Sequence, residues 1–521
     1  MRRELVLLSL VSVLALGSVV QAANIIWVSD NKGYGSVEPN TPGDQGWIDL
    51  LTAQGHNVIY KNQNEYIDGQ QYWRTLDPNK IAELEAADLI ILSRNADSGS
   101  YSTAADNEPN LWNAVSTPLI SLSAHMSRIG GKWGWLNGTG TVKAKEGLLN
   151  VVDANHAVFS GVAIDPNGRV LALNPQWNID WVTGVKDAGN GKVLATRGSD
   201  GLVSIVTWEA GQKFFEAGTK VAGGPRMLFV AGTGSSNAAP NYAPDGMYNL
   251  TADGEKMFVN AVNFMLNKGK SIVFVSAMYP STTDANVPSD QGFVDLLTAA
   301  GYDVDYMPGS LVGTGWVSYW ETLDPNKLAV LDAADLVILA RGCNSAGMAT
   351  DAAELAAWDN VKSPVMLMSS YIAASNRWKW INSTSQDARK TYYDIKAIDP
   401  NHPLFEGVAL DANDVVRWFD PNAASGYASF INTADVGNGK VLAVRPDNGN
   451  MLIAEWPAGK PFYATSTQTP VDTRMFFGAG TQEVSGQKTN WGVMNLSAEG
   501  QRIFINAVAY LIAPAELPGT E

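Results

Sequence analysis

The chain repeats itself once, and the length of that repeat constrains its folding more than any other feature. Asn24-Ile-Ile-Trp-Val-Ser29 returns as Ser271-Ile-Val-Phe-Val-Ser276, and Asp44-Gln45-Gly46 with its apolar continuation returns as Asp290-Gln291-Gly292 with another. TLDPNK from Thr75 recurs from Thr322, and AADLIILSR, ending at Arg94, recurs as AADLVILAR, ending at Arg341. The offsets are 290−44 = 246, 324−77 = 247, 402−156 = 246 and 474−226 = 248, so few insertions separate the copies. A period this long is a duplicated domain, not a solenoid of 20–50-residue units. The expected organisation is a signal segment over 1–22, copy one over 23–268, copy two over 271–513 and a tail over 514–521. The link between copies, near 267–270, is short and polar, which predicts that the two domains pack on each other.

Within each copy, short apolar runs alternate with helical patterns. Strands are expected at Ile25–Val28, Val58–Tyr60, Leu89–Leu92 and Leu119–Leu122, then at Val193–Thr196, Val203–Trp208, Phe214–Ala217 and Met227–Ala231. Asp44 is a candidate cap for the helix through Leu51, and Asp77-Pro78 for the next helix. A closing helix is expected over Ala252–Leu266. Continuous Val/Ile/Leu runs mark strands covered on both faces. Their alternation with helices predicts an α/β fold, two tandem doubly wound domains with mostly parallel sheets.

The 521 residues are 45% hydrophobic and 17% charged, a globular composition. A net charge of −16 argues against nucleic acid or anionic membrane as partner, because phosphate surfaces demand a basic face. Arg2 and Arg3, the apolar run Leu5–Val20 and the small residues before Ala23 read as a secretory signal, which predicts a secreted or periplasmic protein. No later stretch is long and apolar enough to span a bilayer. One cysteine, Cys343, excludes an intramolecular disulfide and cysteine-rich zinc sites.

Ligands of open α/β sheets bind outside the carboxyl ends of the strands. That edge is supplied by the loops Ser29–Gly43 and Ser276–Ser289, by the turns at Arg94–Ser98 and Arg341–Ser345, by Ser123–Ser127 and Ser369–Ala373, and by the strands led by Arg226 and Arg474. Ligand-binding candidates are therefore Asp44, Arg94, Ser98, Trp133 and Arg226 in copy one, and Asp290, Arg341, Ser345, Trp378 and Arg474 in copy two. A buried arginine at a strand end either anchors a polar ligand or pairs with a carboxylate such as Asp44 or Asp290, and both readings stay open. Trp133/Trp135 and Trp378/Trp380 are either sugar-stacking platforms or core plugs.

Catalytic patterns are sparse. Cys343 has no counterpart in copy one, where Ala96 stands, which favours an inert buried thiol. His125 follows the fourth strand but is Tyr371 in copy two. His156 and His402 match within polar turns. Four histidines without HExxH spacing point to no metal, and no phosphate-cradling glycine motif calls for a cofactor. If copy one is an enzyme, His125 with a carboxylate such as Asp97 or Asp106 is the candidate pair.

Several of these segments together resemble the ThuA-like family (trehalose-utilisation type) of the class I glutamine amidotransferase-like superfamily. The resemblance rests on SLSAHM with Trp133 and Trp135 beyond it, on Asp153-Ala-Asn-His156 and Asp399-Pro-Asn-His402-Pro403 as a D-x-x-HP turn, on Trp208 and Glu455-Trp456, and on Arg226 or Arg474 leading a strand into Gly-Thr. Where the family often has Gly-His, both copies have Gly-Thr, and the amidotransferase cysteine is missing from both. The resemblance implies flavodoxin-like three-layer domains and a link to carbohydrate metabolism. The expectation is an exported protein that binds a carbohydrate or other polar small molecule without catalysis. The alternatives are a hydrolase or sugar-modifying enzyme with its site in copy one, and a structural role for the pseudo-symmetric pair.

Overall fold

The computed structural model describes residues 23–30, 43–61, 72–104, 107–234, 245–277, 290–307, 310–312, 315–317, 319–390, 393–421, 428–481 and 492–513. The expected signal segment (1–22), the tail (514–521), Asp106 and most of the two loops after the first strand of each copy lie outside these residues.

Copy one runs β1 (Asn24–Val28), α1 (Gln45–Ala53), β2 (Asn57–Tyr60), α2 (Pro78–Glu85), β3 (Leu89–Leu92), α3 (Glu108–Ala114), β4 (Leu119–Ser121) and α4 (Ala124–Ser127). Seven strands follow: β5 (Thr141–Ala144), β6 (Leu148–Val151), β7 (Arg169–Leu171), β8 (Ile179–Val182), β9 (Lys192–Arg197), β10 (Val203–Trp208) and β11 (Arg226–Phe229). The long helix α5 (Ala252–Asn267) closes the copy. Copy two begins with β12 (Ser271–Val275), α6 (Gln291–Ala299), β13 (Asp303–Met307), a hairpin of β14 (Ser310–Val312) and β15 (Gly315–Val317), α7 (Pro325–Ala333), β16 (Leu336–Leu339), α8 (Ala352–Asp359), β17 (Val365–Leu367) and α9 (Ser370–Ala373). It continues through β18 (Gln386–Lys390), β19 (Asp394–Ala397), β20 (Val415–Arg417), β21 (Ala428–Ile431), β22 (Lys440–Val444), β23 (Met451–Trp456), β24 (Arg474–Phe477) and α10 (Ala498–Ile512).

Each copy builds one nine-stranded sheet, in the orders β2-β1-β3-β4-β11-β10-β9-β6-β7 and β13-β12-β16-β17-β24-β23-β22-β19-β20. The first five strands of each order are parallel. The other four alternate, so only β10 and β6, or β23 and β19, run against the rest. The all-apolar β3 (LIIL) and β16 (LVIL) are buried at every residue. This is the burial expected of central parallel strands sandwiched between helices. In copy one, α1 and α5 meet over the sheet through aromatic rings. Trp47 stacks on Trp27 at 6.3 Å and meets Phe258 edge-on at 5.0 Å. Burying side chains of this size contributes roughly 2–3 kcal/mol each. Buried apolar residues form two separate cores, one per copy. The copies touch where α5 ends: the Asn267 side-chain amide donates to Ala300 O at 2.9 Å.

The cap expected at Asp77 forms, its carboxylate accepting from the amides of Asn79 and Lys80 at 2.9 and 3.0 Å. Two local expectations fail. Asp44 precedes α1 but its side chain does not cap the helix. Phe214–Ala217 is not a strand; Phe214 instead stacks on Trp135 at 5.5 Å and meets Trp208 edge-on at 5.3 Å. That apolar run is a plug between rings, which has the same composition as a buried strand.

Candidate functional site

The parallel strands aim their carboxyl ends at one edge, and there β3 delivers Arg94. Its stem is fixed by backbone. Gly232 (φ +81) passes so close that a Cβ there would lie 3.0 Å from Arg94 Cβ, and Gly480 (φ +87) would lie 2.8 Å from Arg341 Cβ. Positive φ combined with this contact demands glycine at both places. Gly232 and Gly480 are each held by an asparagine carbonyl, from Asn249 at 2.8 Å and Asn495 at 3.0 Å.

The guanidinium of Arg94 turns to Asp180 of β8. Nε and Nη2 both donate to Asp180 Oδ2, at 3.1 and 2.6 Å. His125, from α4, places Nε2 3.4 Å from the same oxygen. Thr141 Oγ1 lies 3.5 Å from that same His125 nitrogen. Asp180 is 2% exposed. Burial pushes its carboxyl up, but the hydrogen bond from His125 and the charge and hydrogen bonds of Arg94 overcome this and hold it down at about 2. Its second oxygen, Oδ1, is buried without a hydrogen-bond partner. Sequence reading did not single out Asp180. The available signal was an acid inside the apolar run Ile179–Val182, since a buried charge requires a partner.

Copy two keeps the arginine and changes the rest. Aligned by strand, β21 places Ser429 where β8 has Asp180, and α9 places Tyr371 where α4 has His125. The Arg341 guanidinium lies over the Tyr371 ring at 5.0 Å. Ser429 shares a hydrogen bond with Ser370 at 2.7 Å. A cation–π contact thus stands where copy one has an ion pair.

The other candidates sort by burial. Asp44 is fully buried and accepts from the hydroxyls of Ser29 and Ser93, not from Arg94. Burial raises its carboxyl to about 6 against the pull of those hydroxyls. Asp290 accepts from Ser276 and Tyr306 and is likewise raised by burial. The expectation that these acids pair with Arg94 or Arg341 is therefore corrected: serine and tyrosine hydroxyls satisfy them. Asp97 closes its own turn, accepting from Gly99 N at 3.1 Å and Ser100 Oγ at 2.8 Å, and does not reach the His125 cluster. Ser98 offers its carbonyl to Lys132 at 2.6 Å, and Ser345 is half-buried in the equivalent turn.

Four ligand candidates are overturned. Trp133 and Trp378 are buried, stacked on Trp112 at 5.2 Å and against Trp358 at 4.9 Å. Their indole N–H groups are bound to Tyr101 O and Met348 O, at 2.9 and 2.5 Å, so neither ring presents a face to a sugar. Arg226 and Arg474 start β11 and β24, at the opposite edge of the sheet, and are 0% exposed. Arg226 donates to Thr117 O, Trp112 O and Asn113 O at 3.1, 3.3 and 3.1 Å, and also to Val115 O. Arg474 donates to Ser363 O, Asp359 O and Val361 O at 3.1, 3.1 and 2.7 Å. Both cap the orphan carbonyls at the ends of α3 and α8, where a cation also suits the helix dipole.

His156 and His402 begin short 3-10 turns, each ring nitrogen accepting a backbone N–H at 3.3 Å. Burial lowers both to about 4. Cys343 is buried with its thiol against Val275 O at 3.4 Å, and burial pushes its pKa far up, as for an inert thiol. Among the described residues no cluster of three or more histidines, cysteines or acids is placed to hold a metal ion, and no helix is long and apolar enough to cross a membrane. Two surface clefts, one lined by Asn137, Lys186 and Phe215 and one by Ser271, Val330 and Ala333, do not include Arg94 or Arg341 in their lining. No protein-family model matches the chain, and no curated protein matches it significantly.

Proposed function

We propose that the chain is an exported, non-catalytic binding protein of the cell envelope or exterior, taking a saccharide or other polar small molecule at the strand ends of copy one. Arg2, Arg3 and the apolar run to Val20 support export. The strand order 2-1-3-4 followed by β11 supports a flavodoxin-like fold and, with the D-x-x-H turns, a ThuA-like ancestry. One observation carries the non-catalytic reading. Asp180 Oδ2 and Thr141 Oγ1 both face the same nitrogen of His125, at 3.4 and 3.5 Å. A relay needs the orienting acid on one ring nitrogen and the nucleophile on the other. Arg94, the obvious ligand anchor, meanwhile spends two donors on Asp180.

A hydrolase in copy one is the second reading, favoured by a partly exposed His125 beside a buried carboxylate held ionised. Calorimetry against neutral and acidic saccharides, run beside ester and glycoside hydrolysis assays, separates the two. Saturable binding without turnover is the expected result. Turnover that His125→Ala abolishes would replace it with the hydrolase. Neither binding nor turnover would leave only a structural role.

A further inference from the structure

From Pro109 to Lys145 the chain contains no Asp or Glu, yet this run holds Arg128, Lys132, Lys143 and Lys145 in a protein of net charge −16. It leaves β4 at the strand-end edge, passes through α4 and enters β5. Arg128 and Lys132 are half-buried there. Arg128 is fixed by two backbone carbonyls, Nε on His125 O at 3.1 Å and Nη1 on Thr139 O at 2.8 Å. Lys132 Nζ is fixed by Ser98 O at 2.6 Å and Ser102 Oγ at 2.9 Å. All four acceptors are neutral, and neither cation is in an ion pair among the described residues.

Holding two cations close without a carboxylate is costly. Burial first, and then the charge of Arg128, lower the pKa of Lys132, with Asp97 opposing. Their remaining N–H donors are preorganised, and their charges are balanced by no side chain in contact. Copy two has lost the pair: Ala374 stands for Arg128 (374−128 = 246), while Arg377 stands for Lys132 (377−132 = 245).

We infer that Arg128 and Lys132 form a site for the oxyanion group of a small ligand: a carboxylate, a sulfate or a phosphate. Guanidinium and ammonium donors held in place match such groups. This rests on the binding reading above and adds the ligand's charge to it. The test is calorimetry and thermal shift with sulfate, inorganic phosphate, glucuronate and glucose, at ionic strength held constant with chloride.

The full-length protein is expected to bind at least one of the three anions saturably and to melt at higher temperature with it. Arg128→Gln and Lys132→Gln should each weaken that binding at least tenfold. Arg128→Lys should retain most of it, and Lys192→Gln, a surface cation bound to Asp153, should leave it unchanged. Melting of the ligand-free variants checks that they fold. No saturable response to any anion, or an equal response in Arg128→Gln and Lys132→Gln, would overturn the inference. Glucose binding in that event would leave the broader binding function standing, whereas silence toward all four probes would remove both.

Discussion

The two copies hold the same arginine in the same backbone seat and satisfy it by opposite means. Arg94 meets a buried carboxylate that a histidine also contacts; Arg341 lies over the face of a tyrosine, and the serine in the carboxylate's place bonds a neighbouring serine. At the other edge of the sheet the copies do not differ, for Arg226 and Arg474 serve the same helix-end carbonyls. Architecture is duplicated and chemistry is not. Both copies keep the strand-end arginine, whereas its partner differs between them.

The comparison breaks first if the helix-capping arginines are unequal. Arg226→Ala and Arg474→Ala should each destabilise their own copy by about 3–5 kcal/mol, since each strands several buried carbonyls and opens a cavity. Denaturant unfolding followed by tryptophan fluorescence should show losses of similar size. A large loss in only one copy would deny their equivalence.

Next in size is the partner swap. Asp180→Ser leaves Arg94 buried without its carboxylate and should cost about 3 kcal/mol. Adding His125→Tyr, which recreates the ring found in copy two, should recover roughly 1 kcal/mol through stacking. A double variant no more stable than the single one would mean that the copy-two arrangement depends on more than these side chains.

Acid sharpens the contrast further. Asp180, held at about 2 when folded against 3.8 when free, stabilises fully above pH 3.8, and that contribution disappears as pH falls through about 2. The shift corresponds to about 2 kcal/mol. Asp44 has the opposite sign. Its folded value of about 6 means that stability declines as pH rises from 3.8 to about 6 and is flat above. The depressed His156 and His402 cost stability in both copies as pH falls from 6.5 to about 4. Copy one has a second such histidine, His56, also at about 4, while copy two has two buried acids raised by burial, Asp290 and Asp359, so the unfolding midpoint of copy one should fall more than that of copy two between pH 6.5 and about 4. Below that, only copy one should show an additional loss that Asp180→Asn removes.

The smallest effect belongs to His125→Ala. The side chain is 25% exposed and its contact with Asp180 is long, so the stability change should be under about 1 kcal/mol. A larger change by thermal melting would make His125 a structural equal of Arg94.

What was legible in the sequence follows from what is local. The central strands, the Asp77 cap and the closing helix depend on neighbours in the chain, and the repeat printed them twice. Asp180 and Arg94 are 86 residues apart, and their pairing depends on where β8, which pairs with β5 outside the nine-stranded sheet, meets the turn after β3, which no short pattern encodes. Asp44 misled because an acid before a helix is usually a cap, whereas here Ser29 and Ser93 arrive from two strands and claim it. The tryptophans misled because composition does not distinguish a ring that stacks on a sugar from one that stacks on another ring. Arg226 misled because its position at the head of a strand, not its tail, puts it at the far edge.

Gly232 and Gly480 set how far the two sites can diverge. Each lets the main chain lie directly against the stem of an arginine, so the guanidinium starts from a fixed point and only its tip can vary. A lineage carrying two such seats can alter one guanidinium's neighbours while the other preserves the original arrangement, and neither domain has to be rebuilt. Any side chain at either glycine would close off that freedom by displacing the arginine itself.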